Sequence, residues 1–305
     1  MDKAYADTVR LLLAVAPDVF KNDVFAMKGG TALNLFLQDM PRLSVDIDVV
    51  YVPWQTPRDE ALTEITKELE VIAQRLDRAG LHTRKIAASG MGDTKLLVET
   101  KDEQVKIEVN TVFRGTALPI ERRALSPQTA ATFSAEMELP MLAPAELYGS
   151  KLVAALDRQH PRDLFDVSKM FESGGLNDDM LECFVIYLAG HNRPIHEVLF
   201  GRDKDISTEF HSQFVGMTRE PVELSTLLDA RARLKRELPQ QLNGQHRQFL
   251  AGLARAEPDW SLLRFGHAAD LPALRWKLTN LEKFRDRRPA DFERQAKLLA
   301  EQLAL

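Results

Sequence analysis

Two short runs near the start of the chain carry side chains suited to chemistry on phosphates. The first, Lys28–Thr31, has Gly29 and Gly30 at the junction between an apolar stretch and a helical one. Glycines there let the backbone approach a ligand closely, and the exposed N–H groups that open the next helix favour a phosphate. The Thr31 hydroxyl is a further donor. The run therefore predicts a phosphate-binding turn, with an ordinary capped turn as the alternative.

The second run, Val45–Val49, alternates apolar residues with Asp46 and Asp48, which is the pattern of a half-buried strand. Both carboxylates should share one face, while Val45, Ile47 and Val49 face the core. Adjacent carboxylates repel one another unless a divalent cation lies between them, and hard oxygen ligands suit magnesium. The pair alone is equally typical of the wet face of a strand. The two runs together, in this order, favour a metal site.

A third carboxylate fits the same arrangement. In the run Val105–Asn110 the odd positions are apolar, so Lys106, Glu108 and Asn110 share the other face of a predicted strand. If this strand pairs beside the one that carries the two aspartates, Glu108 can bind a metal or accept the proton of an attacking hydroxyl. An ordinary solvated glutamate on a surface strand is the alternative.

A second group of charged residues follows in a helical stretch. Lys151 lies within a predicted helix with an apolar face, where a flexible cation can extend towards a triphosphate. Asp163 and Asp166 are three apart, hence on one face of the next helix, with Arg158 and Arg162 nearby. These carboxylates can orient the lysine or an arginine. The alternative is a network of salt bridges within a helix at the surface.

The elements that must position these residues change in character along the chain. Strands are predicted at 24–27, 45–49, 82–88, 94–99 and 105–110, and helices at 5–15, 32–38 and 58–78. Helices follow at 145–158, 161–171, 178–189, 223–237, 243–254 and 290–303. The sequence therefore predicts an α+β fold, with residues 1–140 as a mixed sheet and helices and residues 141–305 as a helical domain.

Composition limits the classes of protein to which the chain can belong. With 305 residues, 45% of them hydrophobic, the chain can build a sizeable core. A net charge of −5 argues against a uniformly basic coat, although the runs 231–236 and 285–288 are candidate basic patches. A single cysteine excludes an internal disulfide, and no apolar run approaches the length of a membrane span. A cytoplasmic location without membrane contact is expected.

Four ordered blocks of sequence resemble the AbiEii family of nucleotidyltransferase toxins, which includes the MenT toxins and belongs to the polymerase-beta-like superfamily. The blocks are Lys28–Leu33, Arg42–Asp48, Lys106–Asn110, and Glu146–Leu156 followed by Arg162–Val167. The resemblance covers roughly residues 24 to 172. The stretch between Thr31 and Asp46 is slightly longer than in most polymerase-beta-like enzymes, although it suits the toxin family.

The resemblance implies an activity and a set of functional residues. A nucleoside monophosphate would pass from a nucleoside triphosphate to an acceptor hydroxyl, with Mg²⁺ or Mn²⁺ as cofactor. The implied metal ligands are Asp46, Asp48 and Glu108. The implied nucleotide-binding residues are Lys28, Gly29, Gly30, Thr31, Arg42, Ser44 and Lys151. The helical domain would add Lys151, Arg162, Asp163 and Asp166 to the site, and the implied catalytic residues are Asp46, Asp48, Glu108, Lys151, Asp163 and Asp166.

The resemblance also implies partners, and it leaves two rival functions open. The acceptor would be the 3′ end of a transfer RNA, with the basic runs as RNA contacts, and a separately encoded antitoxin would exist. A non-catalytic nucleotide sensor or partner-binding module is the first rival. The intact Asp46, Asp48 and Lys151 argue against it. A nucleotidyltransferase that modifies a protein or a small molecule is the second rival.

Overall fold

The chain folds as two units, and the computed structural model describes residues 3–86 and 93–305. The first unit comprises Met1–Leu147 together with the distant segment Met217–Glu220, and the second comprises Tyr148–Gly216 and Pro221–Leu305. The change of composition near residue 140 therefore falls inside the first unit, which continues for several residues beyond it.

A mixed sheet forms the first unit and confirms the predicted fold class. Its strands are β1 (Phe25–Lys28), β2 (Asp46–Tyr51), β3 (His82–Ile86), β4 (Asp93–Glu99), β5 (Gln104–Asn110), β6 (Glu121–Ala124) and β7 (Glu138–Met141). Their order across the sheet is β3-β4-β5-β2-β1-β7-β6. The pairs β2–β5 and β1–β7 are parallel, and the remaining neighbours are antiparallel.

The period of two in β2 and β5 separates a buried face of the sheet from a polar one. Ile47, Val49, Ile107 and Val109 are fully buried. Of the alternate residues, Asp46, Asp48, Lys106, Glu108 and Asn110 are half-buried, and Gln104 is exposed. Because side chains alternate across a strand, burial of the apolar set places the acidic set on the opposite face.

The first unit also contains helices. They are α1 (Lys3–Val19), a short α2 (Gly29–Thr31) that continues as a π-helix (Ala32–Leu37), α3 (Arg58–Arg78), α4 (Pro127–Phe133) and the first residues of α5 (Pro144–Arg158). The α3 helix has the predicted bounds. It buries an apolar stripe that includes Ile65, Leu69 and Ile72, begins behind Pro57, and ends before Gly80, where φ is +85°.

Residues 148–216 and 221–305, all of which the structure describes, contain helices and no strand. After α5 these helices are α6 (Pro161–Glu172), α7 (Asp178–Ala189), α8 (Ile195–Leu199), α9 (Ser207–Gln213), α10 (Leu224–Gln241), α11 (Gly244–Ala254), α12 (Pro272–Arg287) and α13 (Pro289–Gln302). Two 3₁₀ turns, Trp260–Leu262 and Gly266–Asp270, lie between α11 and α12. Within the described ranges, no helix is long and apolar enough to cross a membrane.

Several elements differ from the sequence-based expectation. The strand at 45–49 occupies Asp46–Tyr51, so Val45 precedes it and is half-buried, where we expected it in the core. The strand at 82–88 ends at Ile86 within the described residues, and its last two positions lie outside them. The helix at 32–38 is a π-helix. Strands β6 and β7 and helices α4, α8, α9 and α12 were not predicted.

Candidate active site

The glycine turn lies against one of the two aspartates. Strand β1 ends at Lys28, which is the antiparallel register partner of Asp48. Gly29 follows with φ of +79°, and a Cβ placed on it would lie 2.2 Å from Asp48 Oδ2 and 2.9 Å from Asp48 Cβ. Only glycine accommodates both this backbone conformation and this contact. The sequence therefore brings a carboxylate directly onto the backbone of the turn.

Two further polar groups cover Gly30. A Cβ there would lie 2.8 Å from Arg42 Nη2 and 2.9 Å from Ser44 Oγ. Thr31 Oγ1 lies 3.1 Å from Ser44 Oγ and also donates a hydrogen bond to the carbonyl of Asp46. A guanidinium and a hydroxyl thus lie against the second glycine, and guanidinium and hydroxyl donors are suited to phosphate oxygens.

The loop that carries Arg42 and Ser44 is held by residues far away in sequence. The Tyr5 hydroxyl accepts a hydrogen bond from Ser44 N–H and donates to the Ser44 carbonyl at 3.2 Å, and burial raises the pKa of Tyr5. The segment Met217–Glu220 also contacts the loop, where Leu43 N–H donates to the Met217 carbonyl at 2.8 Å. Arg42 forms a β-bridge with Thr218. Two segments distant in sequence therefore hold the loop.

The three predicted acidic residues share the polar face of the sheet. Asp48 is the register partner of Glu108, and Asp46 is the partner of Lys106, across the parallel pair β2–β5. Lys106 Nζ lies 2.8 Å from Glu108 Oε2 and 3.7 Å from Asp46 Oδ1. From β4, Lys95 Nζ lies 2.5 Å from Glu108 Oε1. Both oxygens of Glu108 therefore contact an ammonium group.

These contacts shift the pKa values of the charged groups. Burial acts to raise the pKa of Glu108, but hydrogen bonds from Lys106 and Lys95 outweigh it, and the net pKa is lowered. Burial acts to lower the pKa of Lys106, but the hydrogen bond to Glu108 and the charge of Asp46 outweigh it, and the net pKa is raised. Each group is thus held in its charged form.

The residues present fit a magnesium ion that is bound together with a nucleotide. Within residues 3–86 and 93–305, no group of three or more His, Cys, Asp or Glu side chains is arranged as a complete metal cluster. Magnesium is commonly bound by one or two carboxylates and by substrate phosphates, so a full protein cage is not required. Asp46 and Asp48 supply two hard oxygen donors on one face, and the Gly29 turn lies against Asp48.

Lys151, Asp163 and Asp166 form a buried ionic network in the second unit. Lys151 Nζ lies 2.8 Å from Asp163 Oδ1 and 3.0 Å from Asp166 Oδ2, with side-chain exposures of 9%, 4% and 0%. Arg158 Nη2 lies 2.8 Å from Asp163 Oδ2. Arg162 follows Pro161 at the start of α6, where its N–H donates to His160 Nδ1. The aspartates fix the position of the lysine ammonium group. A buried charge requires such close partners, because burial removes it from water.

Other conspicuous residues have structural partners. Glu146 is fully buried, and its two carboxylate oxygens accept hydrogen bonds from the N–H groups of Ala117 and Leu118 at 2.8 and 2.9 Å. In the basic run 231–236, Arg231 donates to the Lys204 carbonyl at 2.7 Å. The other cations of this run pair with Asp203 or Glu237. These contacts reduce the positive charge that the run can offer to a polyanion.

The structure gathers most of the predicted site residues of the first unit. It brings Gly29 and Gly30 against Asp48, Arg42 and Ser44, and it puts Glu108 beside Asp48 in register. The sequence reasoning missed the roles of Lys95 and Lys106 as partners of Glu108, and of Tyr5 and the Met217–Glu220 segment as supports of the loop. The alternation in Val105–Asn110 already placed Lys106 on the acidic face. The strand neighbours that place Lys95 there could not be read from local patterns.

Comparison with known proteins connects this geometry to a family. A sequence profile described as "Nucleotidyl transferase AbiEii toxin, Type IV TA system" matches residues 10–280. Among solved structures, MenT4, a nucleotidyltransferase toxin from Mycobacterium tuberculosis H37Rv, is similar to this chain with a TM-score of 0.59 at 19% identity, over 97% of this chain and 95% of its own. A comparison with curated proteins gave no match. The structural likeness shows a shared fold, and the profile covers most of the chain. The chain therefore belongs to the AbiEii family of nucleotidyltransferase toxins of type IV toxin–antitoxin systems, and it is a nucleotidyltransferase.

Proposed function

We propose that this nucleotidyltransferase uses magnesium or manganese to transfer a nucleoside monophosphate to a hydroxyl at the 3′ end of a transfer RNA. One observation carries the site assignment: Asp48 Oδ2 would lie 2.2 Å from a Cβ on Gly29. Because the carboxylate contacts the glycine turn, a cation ligand and phosphate donors are close enough to bind the same triphosphate.

Asp46 and Asp48 would hold the cation, which supplies charge neutralisation on the phosphates when it is bound. The backbone N–H groups of the Gly29–Thr31 turn would donate to phosphate oxygens. Arg42 and Ser44 lie directly over Gly30 and would bind the same phosphates from the other side. Because the chemistry of phosphoryl-type transfer depends on positioning and on electrostatics, rigid donors of this kind are the main contribution of the protein.

Glu108 is the third acidic residue of the proposed site. In this structure Lys95 and Lys106 contact both of its oxygens. To act as a metal ligand or as a base, Glu108 would have to release at least one of these ammonium groups. We propose that Glu108 is a ligand of the cation, because its lowered pKa suits a metal ligand better than a general base.

Lys151 is proposed as the cation that neutralises the pyrophosphate leaving group. Its aspartate partners, Asp163 and Asp166, would position the ammonium group without binding metal themselves. A lysine is suited to this role because its charge is compact, and the two aspartates hold the ammonium group in place. Lys28, which follows the buried part of β1, is proposed as a further nucleotide contact.

The acceptor, the partner and the location follow from the family. Transfer RNA and nucleoside triphosphates are found together in the cytoplasm, where we propose that the protein acts. An antitoxin encoded separately would oppose its activity, as the type IV toxin–antitoxin description of the family implies.

The experiment that tests this proposal is a labelling assay with separate acceptors. The protein is incubated with magnesium and each α-labelled nucleoside triphosphate in turn, with total RNA in one series and total protein in another. We expect label in the transfer RNA band for at least one nucleotide, and no label when EDTA replaces magnesium. Label on protein alone would favour a protein-modifying nucleotidyltransferase. No label in either series would favour a nucleotidyltransferase that modifies a small molecule, or a nucleotide sensor. Both results would contradict the proposal.

A further inference from the structure

Two lysines are built into the acidic face of the sheet. Lys106 on β5 and Lys95 on β4 point to the same face as Asp46 and Glu108, because Lys95 is the register partner of Glu108 and Lys106 is that of Asp46. The side chains are partly covered, with exposures of 34% for Lys95, 30% for Lys106 and 18% for Glu108. The lysines are therefore parts of the site, in contrast to solvated surface cations.

The contacts of these lysines involve the oxygens that a cation would use. Lys106 Nζ lies between two carboxylates, 2.8 Å from Glu108 Oε2 and 3.7 Å from Asp46 Oδ1. Lys95 Nζ contacts the other oxygen of Glu108 at 2.5 Å. An oxygen lone pair directed at an ammonium group is not available to a divalent cation at the same time. Binding of an ammonium group and binding of a cation at these oxygens are therefore in competition.

We propose that Lys106 is an intrinsic counter-ion of the acidic site, which competes with the divalent cation for Asp46 and Glu108. The inference rests on the proposed function, because it takes the cation to bind on the Asp46–Asp48 face. Lys106 keeps the carboxylates of β2 and β5 close together before the cation arrives, since like charges on neighbouring strands otherwise repel one another. Its ammonium group must then turn away from both carboxylates when they bind the cation.

Lys106 is assigned the larger part in this competition, because it contacts carboxylates of two strands. Among the carboxylates of residues 3–86 and 93–305, Lys95 forms an ion pair with Glu108 alone. Replacing Lys106 should therefore free an oxygen on each of two ligands, and replacing Lys95 an oxygen on one. Lys106 is a positioning residue in this account, and the quantity that it sets is the affinity of the site for the cation.

The test is a titration of the full-length protein with Mn²⁺ alone, followed by the electron paramagnetic resonance signal of free Mn²⁺. We expect Lys106→Gln to bind Mn²⁺ about fivefold more tightly than the unchanged protein, which corresponds to about 1 kcal/mol. Lys95→Gln should give a smaller increase. Lys106→Arg keeps the charge and should not bind more tightly.

A control removes the same charge outside the site. Lys101 lies exposed in the turn between β4 and β5, so Lys101→Gln changes the net charge equally and should leave the Mn²⁺ affinity unchanged. Thermal unfolding of each variant establishes that the fold is retained.

The results separate the inference from the proposed function. If Asp48→Asn weakens Mn²⁺ binding but Lys106→Gln binds no more tightly than the unchanged protein, the inference is wrong and the proposed site stands. An equal gain in Lys101→Gln also overturns it, since net charge alone would then explain the effect. If Asp48→Asn binds Mn²⁺ as the unchanged protein does, the cation lies elsewhere and both ideas fail.

Discussion

The substitution Gly29→Ala tests whether the glycine turn and the aspartate act as one site. Gly29 has φ of +79°, a backbone conformation that costs an alanine about 1–2 kcal/mol. The added Cβ would also lie 2.2 Å from Asp48 Oδ2 and 2.9 Å from Asp48 Cβ. Contacts this short force the carboxylate or the turn to shift, at a further cost of about 1–3 kcal/mol.

Gly80→Ala is the matched control. Gly80 has φ of +85°, and nothing lies within 4 Å of the position that a Cβ would take, so an alanine there has only the backbone cost. We therefore expect Gly80→Ala to lower the Tm by about 3 °C and Gly29→Ala by about 8 °C, at roughly 2–4 °C per kcal/mol for a unit of this size. A displacement of a catalytic group by about 1 Å can cost on the order of 100-fold in rate. Transfer of labelled nucleotide should fall by that factor in Gly29→Ala and stay unchanged in Gly80→Ala.

The assay combines thermal unfolding with labelling of RNA from an α-labelled nucleoside triphosphate at fixed magnesium concentration. An equal decrease of Tm in the two variants would show that Asp48 is not in close contact with the turn. Full labelling activity in Gly29→Ala would refute the reasoning more directly, because it would mean that the contact between glycine and carboxylate has no part in catalysis.

Three further predictions concern the second unit. Lys151→Met removes the ammonium group that contacts two buried carboxylates, Asp163 and Asp166, and should lower the unfolding free energy by about 3 kcal/mol in urea titrations. An unchanged midpoint would contradict the buried network. Burial lowers the pKa of Lys277 to about 8, so between pH 8 and 10.5 the unfolded chain binds more protons than the folded one. The free energy of unfolding should therefore rise by up to about 3 kcal/mol as pH increases through that window, and Lys277→Met should abolish the rise. A Cβ on Gly149 would lie 2.6 Å from Cys183 Cβ and 2.8 Å from Phe184 N, so Gly149→Ala should destabilise by about 1–3 kcal/mol in the same titrations, and an unaltered midpoint would show that the helices are not in close contact there.

The parts of the fold that were predicted correctly have local causes. The alternation of apolar residues around Asp48 and Glu108 reports which face of a strand is buried, since side chains alternate with a period of two. The α3 helix was predicted with its bounds because its apolar stripe is regular and a glycine follows it. Such patterns contain enough information to place a side chain on a face.

The parts that were missed depend on contacts over long distances or on weak patterns. Strand β7 contains Pro140, which normally argues against a strand, and it pairs with β1 at a single register position, Met27 with Met141. Helix α12 buries only Ala273, Leu274 and Lys277, so it lacks an apolar stripe.

The supports of the site were missed for the same reason. The Tyr5 hydroxyl reaches Ser44 across 39 positions, and Lys95 reaches Glu108 through a register that no local pattern reveals. The segment Met217–Glu220 returns to the first unit from a stretch of sequence that is otherwise part of the second. These contacts are selected by the packing of the whole unit, which is not encoded in any short run of residues.

The central claim is that the carboxylate of Asp48 binds the cation that nucleotide transfer requires. The most direct measurement compares magnesium-dependent labelling of transfer RNA by Asp48→Asn and by Asp102→Asn, an equal change of charge in the exposed turn between β4 and β5. We predict that labelling is lost in Asp48→Asn, at an unchanged Tm, and retained in Asp102→Asn. Undiminished labelling by Asp48→Asn would contradict the account.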